Sequence, residues 1–322
     1  MASEKVTKSK SGVLVGSGGV TEAGYHSIES FLRCPKLFQF EKVRNIGLPQ
    51  QYEPPYFTVG RMLHAGKAKW FSRGFRTTDK TWRAIQRAME LEAHTGKLPP
   101  KREALRDGLR YMEEYIEHWS KRPLPKPVAC EYKLGPAPFS ANDPFFLFRT
   151  ARLDDVSHYP EAGGALAIGE MKSTSGSPGD VVEEYTLHGQ TMLQYLLWRH
   201  SDNGEAQHGK VAGTVLDIIK KGYGREKSKF SRQFIPFDPY ALEWFADTLR
   251  ANLRAAALVT WDAEVPRNIT ACTRTAGRKK VVCDYRDLCA HGKSASIKYV
   301  QRATGSGLMH KEEWKGVKGP WE

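Results

Sequence analysis

The spacing of apolar residues changes period along the 322-residue chain, and the changes mark out its elements. Residues 1–24 carry no apolar stripe and are rich in Lys, Ser and Gly, which predicts a flexible basic tail. From Tyr25 to Arg44 the apolar positions Ile28, Phe31, Leu32, Leu37 and Phe40 recur at helical spacing. Ser27 can cap this helix and Pro35 interrupts it. Helical spacing returns over 57–73, 80–95 and 102–121, the last with Leu105, Leu109, Met112, Tyr115, Ile116 and Trp119 on one stripe. The period then falls to two, and 127–134, 145–158 and 165–173 read as strands. A helix over 183–200, a strand over 211–220, a basic segment and an amphipathic helix over 239–262 follow, the last carrying Leu242, Phe245, Leu249, Leu253 and Leu258. This order predicts an α/β or α+β domain with a mixed sheet. The expected parts are the tail 1–24, a helical N-terminal part 25–125 with Cys34 and His64, a strand-rich core 126–262, a cysteine segment 263–292 and a C-terminal tail 293–322.

Charge narrows the class of partner. Lys and Arg number 49 against 36 Asp and Glu, a formal net charge of +13. Such a surplus favours a polyanion through counterion release. An anionic membrane surface is the competing reading, but no polybasic amphipathic helix, lipidation motif or long apolar run is present. No signal peptide is evident, so a cytoplasmic location is expected, in a bacterial or phage-infected cell. Five cysteines, an odd number, argue against a disulfide framework and leave thiols for metal.

Candidate chemistry lies in the second and third strands. Tyr159 to Gly164 suit a hairpin turn. With the turn centred on Ala162, paired residues sum to 324, so Asp154 faces Glu170 and Val156 faces Ile168. Directly opposed Cβ atoms lie about 5 Å apart, and two carboxylates so close repel unless a cation lies between them. Lys172 lies two residues past Glu170 and so points to the same face. Hard oxygen ligands suit Mg2+ or Mn2+, which would acidify a water and neutralise phosphate charge, while Lys172 supports the water or the transition state. The alternative is a solvated strand face with weak ion pairs.

Flanking motifs bear on that choice. Ser27 to Phe40 (SIESFLRCPKLFQF), Gly60-Arg61-Met62-Leu63-His64, Arg152-Leu153-Asp154, Glu170-Met171-Lys172, Gln190 to Tyr195 (QTMLQY) and Cys283 to Cys289 occur in that order. Together they resemble the RecB-type branch of the PD-(D/E)XK nucleases, which includes the AddB recombination nucleases and the iron–sulfur CRISPR-associated exonucleases. The resemblance implies a restriction-endonuclease-like mixed β-sheet flanked by helices, with His64, Asp154 and Glu170 on the metal, Lys172 catalytic and Gln190 supporting. Two features depart from the pattern. Gln190 and Tyr195 are five apart where the family has four, so either Gln190 or Gln194 could face the site. The closing cysteines begin Cys272-x10-Cys283 rather than C-x2-C.

Cys34, Cys272, Cys283 and Cys289 could hold a 4Fe-4S cluster, which the resemblance favours, or Zn2+. Either would close a loop of more than 200 residues between the two ends of the chain. Cys130, mid-strand, reads as a buried thiol, Tyr195 and Trp198 as core, and Glu131 as a solvent-facing strand residue or a group that orients a ligand. Lys220, Lys221, Arg225, Lys227, Lys229 and Arg232, with Arg278, Lys279 and Lys280, are candidate phosphate contacts or simply solvated charges; Tyr223 and Phe230 could stack on bases or pack in the core. The leading expectation is a divalent-metal DNA exonuclease acting on ends or single strands in recombination, repair or phage and CRISPR DNA processing, with a helicase or recombinase partner. The competing expectations are a catalytically silent iron–sulfur or zinc DNA-binding assembly protein of the same fold, and a zinc-stapled RNA-binding protein.

Overall fold

A computed structural model describes residues 7–8, 14–15, 25–44, 46–47, 53–96, 99–134, 151–222, 226–259, 264–276, 279–303 and 307–308. The chain groups into two compact units, Met1–Ala23 with Tyr52–Ala246, and Gly24–Gln51 with Asp247–Glu322. Arg225, Arg278, Tyr223, residues 145–150 of the second expected strand and residues 309–322 lie outside the described residues.

The first unit is built on five long strands: β1 (Lys126–Leu134), β2 (Ala151–His158), β3 (Leu166–Thr174), β4 (Gly213–Lys220) and β5 (Lys229–Pro236). They pair in chain order, antiparallel except for the parallel pair β3–β4, so the sheet is mixed as expected. Strand β5 is an addition to the sequence reading, which gave this stretch only as a basic segment. Its Lys and Arg residues obscure the alternation, and Arg232 is in fact buried against Asp217. Two two-residue strands from the expected N-terminal tail extend the sheet, Leu14–Val15 pairing in parallel with Ala129–Cys130. The hairpin register sums to 324 as predicted, from His158↔Leu166 to Asp155↔Gly169.

In the second unit α1 spans Tyr25–Arg33. It begins two residues before Ser27, which therefore lies inside its first turn instead of capping it. In the first unit come α2 (Pro55–Ser72), α3 (Asp79–Ala93) and α4 (Arg102–Trp119). The threonine hydroxyl of Thr78 caps α3 by accepting from Thr81 N. Met62, Trp70, Phe71, Ile85, Met89, Met112 and Tyr115 bury one face of the sheet with Cys130, Met171 and Ile219. The expected helix over 183–200 is two: α5 (Pro178–Thr186) and α6 (Gly189–His200). Between them His188 is extended, and its ring nitrogen accepts from Gln190 N, starting a new helix where a single one was expected. Helix α7 spans Pro239–Ala257. No helix among the described residues is long and apolar enough to cross a membrane.

In the second unit α8 (Arg286–His291) packs Leu288 with Tyr285 against Leu37, Phe40 and Ile46. Part of the expected C-terminal tail is ordered here: Val300–Ala303 pairs with Ile46–Gly47.

Candidate active site

Strand β2 carries two adjacent aspartates on opposite sides of the sheet, and α2 meets both. His64 Nδ1 lies 2.9 Å from Asp154 Oδ1, and three residues later Lys67 Nζ lies 2.9 Å from Asp155 Oδ2. Residues i and i+3 share a helix face, so one stripe of α2 serves both. The second oxygen of Asp154 accepts from Met171 N at 2.7 Å, directly after Glu170, which ties β2 to β3 beyond the last ladder pair.

Glu131 of β1 completes this group. One ligand atom from each of His64, Glu131 and Asp154 lies within 4.8 Å of the others. Glu131 sits at φ 48, a left-handed backbone that costs a non-glycine residue about 1–2 kcal/mol. Such strain collects at functional positions. Its Oε2 pairs with Arg152 at 3.1 Å, while its Oε1 is buried without a hydrogen bond. Burial, eased by Arg152 but reinforced by Asp154, pushes the Glu131 carboxyl up to about 7. For Asp154 burial acts the other way from its partners, and His64 and Lys67 hold it well below the usual range. Burial opposes the charge on His64, yet Asp154, Glu131 and Glu170 keep its pKa above the ordinary value. An imidazole and two carboxylates, one of them with an orphaned oxygen, form a donor set that fits a hard divalent cation.

Glu170 is 1% exposed and fully engaged. Its Oε1 accepts from Lys172 Nζ at 2.7 Å and Gln190 Nε2 at 3.0 Å, and its Oε2 from Gln194 Nε2 at 3.1 Å. Among the described residues it belongs to no group of three metal-type ligand atoms mutually within 4.8 Å. The question of Gln190 or Gln194 is thereby answered with both: four residues apart on α6, they grip the two oxygens of one carboxylate. Lys172 lies over the ring of Tyr185 at 5.2 Å, and although burial disfavours its charge, Glu170 raises its pKa well above the usual lysine value. Gly169 precedes Glu170 because any side chain there would collide with the Asp155 carboxylate and the Tyr159 hydroxyl.

The basic candidates divide. Lys220 and Lys221 end β4 beside Thr174, two residues past Lys172 on the neighbouring strand, and Lys229 pairs with Lys220. Lys227 is exposed, 3.9 Å from Glu117. Arg232 is a correction: it is buried in the core, 3.2 Å from Asp217 and over the Trp119 ring, and is not available to phosphate. Phe230 packs against Tyr115 and His118. Lys279 and Lys280 lie on the second strand of a hairpin.

That hairpin concerns the cysteines. Thr273–Ala276 pairs with Lys279–Val282, and Cys283 N donates to Cys272 O at 2.8 Å. The ten-residue insertion therefore folds back on itself and returns Cys283 beside Cys272. Cys34 Sγ accepts from Asn268 N, and Cys272 Sγ donates to Asn268 O. Cys34 packs with Cys283 and Cys289 around Tyr285 and Leu288. Burial pushes Cys289 up to about 11; Arg267 opposes this, and the thiols of Cys283, Cys34 and Cys272 add to it. The four thiols are thus close enough to feel one another. Cys130 is buried in the sheet core, as expected.

Sequence reasoning left Glu131 as a solvent-facing strand residue or a group that orients a ligand, and did not count it among the metal ligands. A lone acidic residue on a strand carries no local sign of a left-handed backbone. It also missed the pairing of Asp155 with Lys67, whose three-residue offset from His64 was readable only once Asp154 and Asp155 were known to diverge.

Asp154 of β2 and the Glu170-Met171-Lys172 run of β3, two neighbouring strands inside the sheet, thus lie together, with an imidazole from α2 against Asp154. The family model for the PD-(D/E)XK nuclease superfamily matches residues 24–290, and the chain belongs to that superfamily. A search of curated proteins returned no match.

Proposed function

We propose that this protein is a Mg2+- or Mn2+-dependent deoxyribonuclease of the RecB type that trims DNA ends. The observation that carries the reading is the His64–Glu131–Asp154 group, with its orphaned Glu131 oxygen, set beside the Lys172–Glu170 pair. His64, Glu131 and Asp154 would hold the cation, with Glu170 adjacent. When bound, the cation supplies charge neutralisation at the phosphate and acidifies the attacking water. Lys172 remains an ammonium at neutral pH, so it donates and stabilises charge and does not serve as a base. Gln190 and Gln194 fix Glu170, and outer partners of this kind typically matter by about 10–100-fold. Lys220, Lys221, Lys227 and Lys229 offer phosphate contacts beyond Lys172. A helicase or recombinase partner would supply any unwinding of the substrate. End-labelled linear DNA should be degraded with Mn2+ and untouched with EDTA. Equal degradation in EDTA would defeat the metal assignment.

Cys34, Cys272, Cys283 and Cys289 would hold a 4Fe-4S cluster: Cys34, Cys283 and Cys289 share a small apolar core, and Cys283 N donates to Cys272 O beside them. Anaerobically purified protein should be brown and contain iron, and Cys283→Ser should lose both colour and iron. Stoichiometric zinc without iron would favour the alternative metal. The cluster is a staple and takes no part in hydrolysis.

A further inference from the structure

Helix α5 ends at Thr186 and α6 begins at Gly189, and both reach one ion pair. Lys172 Nζ donates to Glu170 Oε1 at 2.7 Å. Its second partner is Tyr185: the ammonium lies 5.2 Å from the ring centroid and donates to the hydroxyl. Burial, opposed by Lys172, pushes that hydroxyl up to about 12, so at neutral pH it is an uncharged phenol that accepts. From the other side Gln190 Nε2 donates to Glu170 Oε1 at 3.0 Å. Tyr185 and Gln190 are five residues apart. In one continuous helix they would lie about 140° apart around the axis and could not both face one ion pair. The break at Leu187–His188 brings both to it.

His188 holds the break. Its ring stacks on Tyr185, with centroids 4.4 Å apart and planes 14° from parallel, and its Nδ1 accepts from Gln190 N at 3.3 Å. One imidazole therefore sets the plane of Tyr185 and starts the helix that carries Gln190. Lysine has a long flexible stem, and the Lys172 side chain is 28% exposed, so one carboxylate contact leaves its ammonium several positions. Tyr185 removes that freedom. An ammonium has three N–H donors; Glu170 and Tyr185 take two, which leaves one for a substrate oxygen. We infer that Tyr185, braced by His188, is a positioning residue for the reaction: it acts through Lys172, holding the ammonium so that the remaining N–H meets the scissile phosphate. The phosphate in this inference rests on the nuclease reading above, whereas the hold on Lys172 rests on the contacts alone.

Two readouts on the full-length protein test this. The first needs no cleavage: acetylation of Lys172 by a limiting amine reagent, followed by mass spectrometry, with the exposed Lys227 as internal standard. Tyr185→Leu removes ring and hydroxyl and should speed Lys172 labelling about tenfold. Tyr185→Phe keeps the packing, removes the hydroxyl and should speed it about threefold. The second readout is single-turnover cleavage of end-labelled DNA with Mn2+, beside DNA affinity in EDTA. Tyr185→Leu should slow cleavage about tenfold and leave affinity within about twofold, a split that a general loss of fold would not give. His188→Asn keeps a capping side chain, removes the stacked ring and should slow cleavage about threefold. This variant and Tyr185→Phe carry the test if Tyr185→Leu melts below the assay temperature. Unchanged Lys172 labelling in the Tyr185 variants would overturn the inference. So would a loss of DNA affinity equal to the loss of rate, since Tyr185 would then touch the substrate itself. Faster labelling with no Mn2+-dependent cleavage by the unaltered protein would instead defeat the nuclease reading and leave the hold on Lys172 standing.

Discussion

Asp154→Ala is expected to lower Mg2+- or Mn2+-supported cleavage of linear DNA by on the order of 10³-fold or more while the protein stays folded. Asp154 is the residue on which the site converges. One oxygen meets His64 and the other meets the backbone of the E-x-K strand. Removing it takes away a proposed metal ligand and frees β3 from β2 at the point where the ladder has already ended. Stability should not fall in parallel. Burial is the main reason the Glu131 carboxyl is pushed up, and repulsion from Asp154 adds to it, so deleting one charge relieves part of that cost. Lys172→Ala should lose activity on a similar scale, because its ammonium charge is set by Glu170 beside the site. Rates on end-labelled DNA, with thermal melts of each variant, provide the check. Undiminished cleavage in both variants would remove the assignment.

Lys67→Met is expected to destabilise the protein by about 3–5 kcal/mol, the usual cost of leaving a buried charge without its partner. Lys67 is 2% exposed and lies 2.9 Å from Asp155 and 3.4 Å from Asp217. Asp217 in turn holds Arg232 and Tyr115, and Asp155 accepts from Tyr159. Methionine fills the volume but leaves Asp155 with hydroxyl donors alone. Against a typical margin of about 5–15 kcal/mol, the loss should show as a large drop in urea midpoint. A change under about 1 kcal/mol would mean that the carboxylates find other partners. The same network makes a pH statement. Burial raises the Asp217 carboxyl, but Arg232, Lys67 and Tyr115 outweigh it and hold it below the usual value. Its contribution is therefore complete above the unfolded value of about 3.9 and is lost as pH falls through the lower folded value. Melting temperature should decline on acidification below about pH 4.

The two predictions concern neighbouring residues with opposite fates. Asp154 and Asp155 are indistinguishable as letters, and strand alternation says only that they face opposite ways. The structure gives one to the His64–Glu131 group of the candidate site and the other to a buried ion-pair network. The three-residue step from His64 to Lys67 on α2 matches this division.

Much of the site was legible locally. The turn at Tyr159–Gly164 sets a register that the strands follow residue by residue, because a hairpin leaves little freedom once its turn is chosen. Lys172 lies on the face of Glu170 because side chains alternate with period two. Gln190 and Gln194 share a helix face because they are four apart, so the choice between them dissolves on the helix. What failed locally did so for identifiable reasons. The break at Leu187–His188 rests on a histidine acting as a cap, outside the usual capping residues. Strand β5 was hidden by Arg232, a charge that reads as surface until Asp217 is placed opposite it.

The sequence by itself determined the order of elements, the hairpin register and the positions of Asp154, Glu170, Lys172 and His64, because these depend on short-range spacing. Only the tertiary structure decided which charges share a space. It brought Glu131 to His64 and Asp154 through a left-handed backbone, and it folded the Cys272–Cys283 insertion into a hairpin. Each of these depends on contacts between residues far apart in the chain, where the cost of burial and the balance of charge are settled only by what lies across the gap.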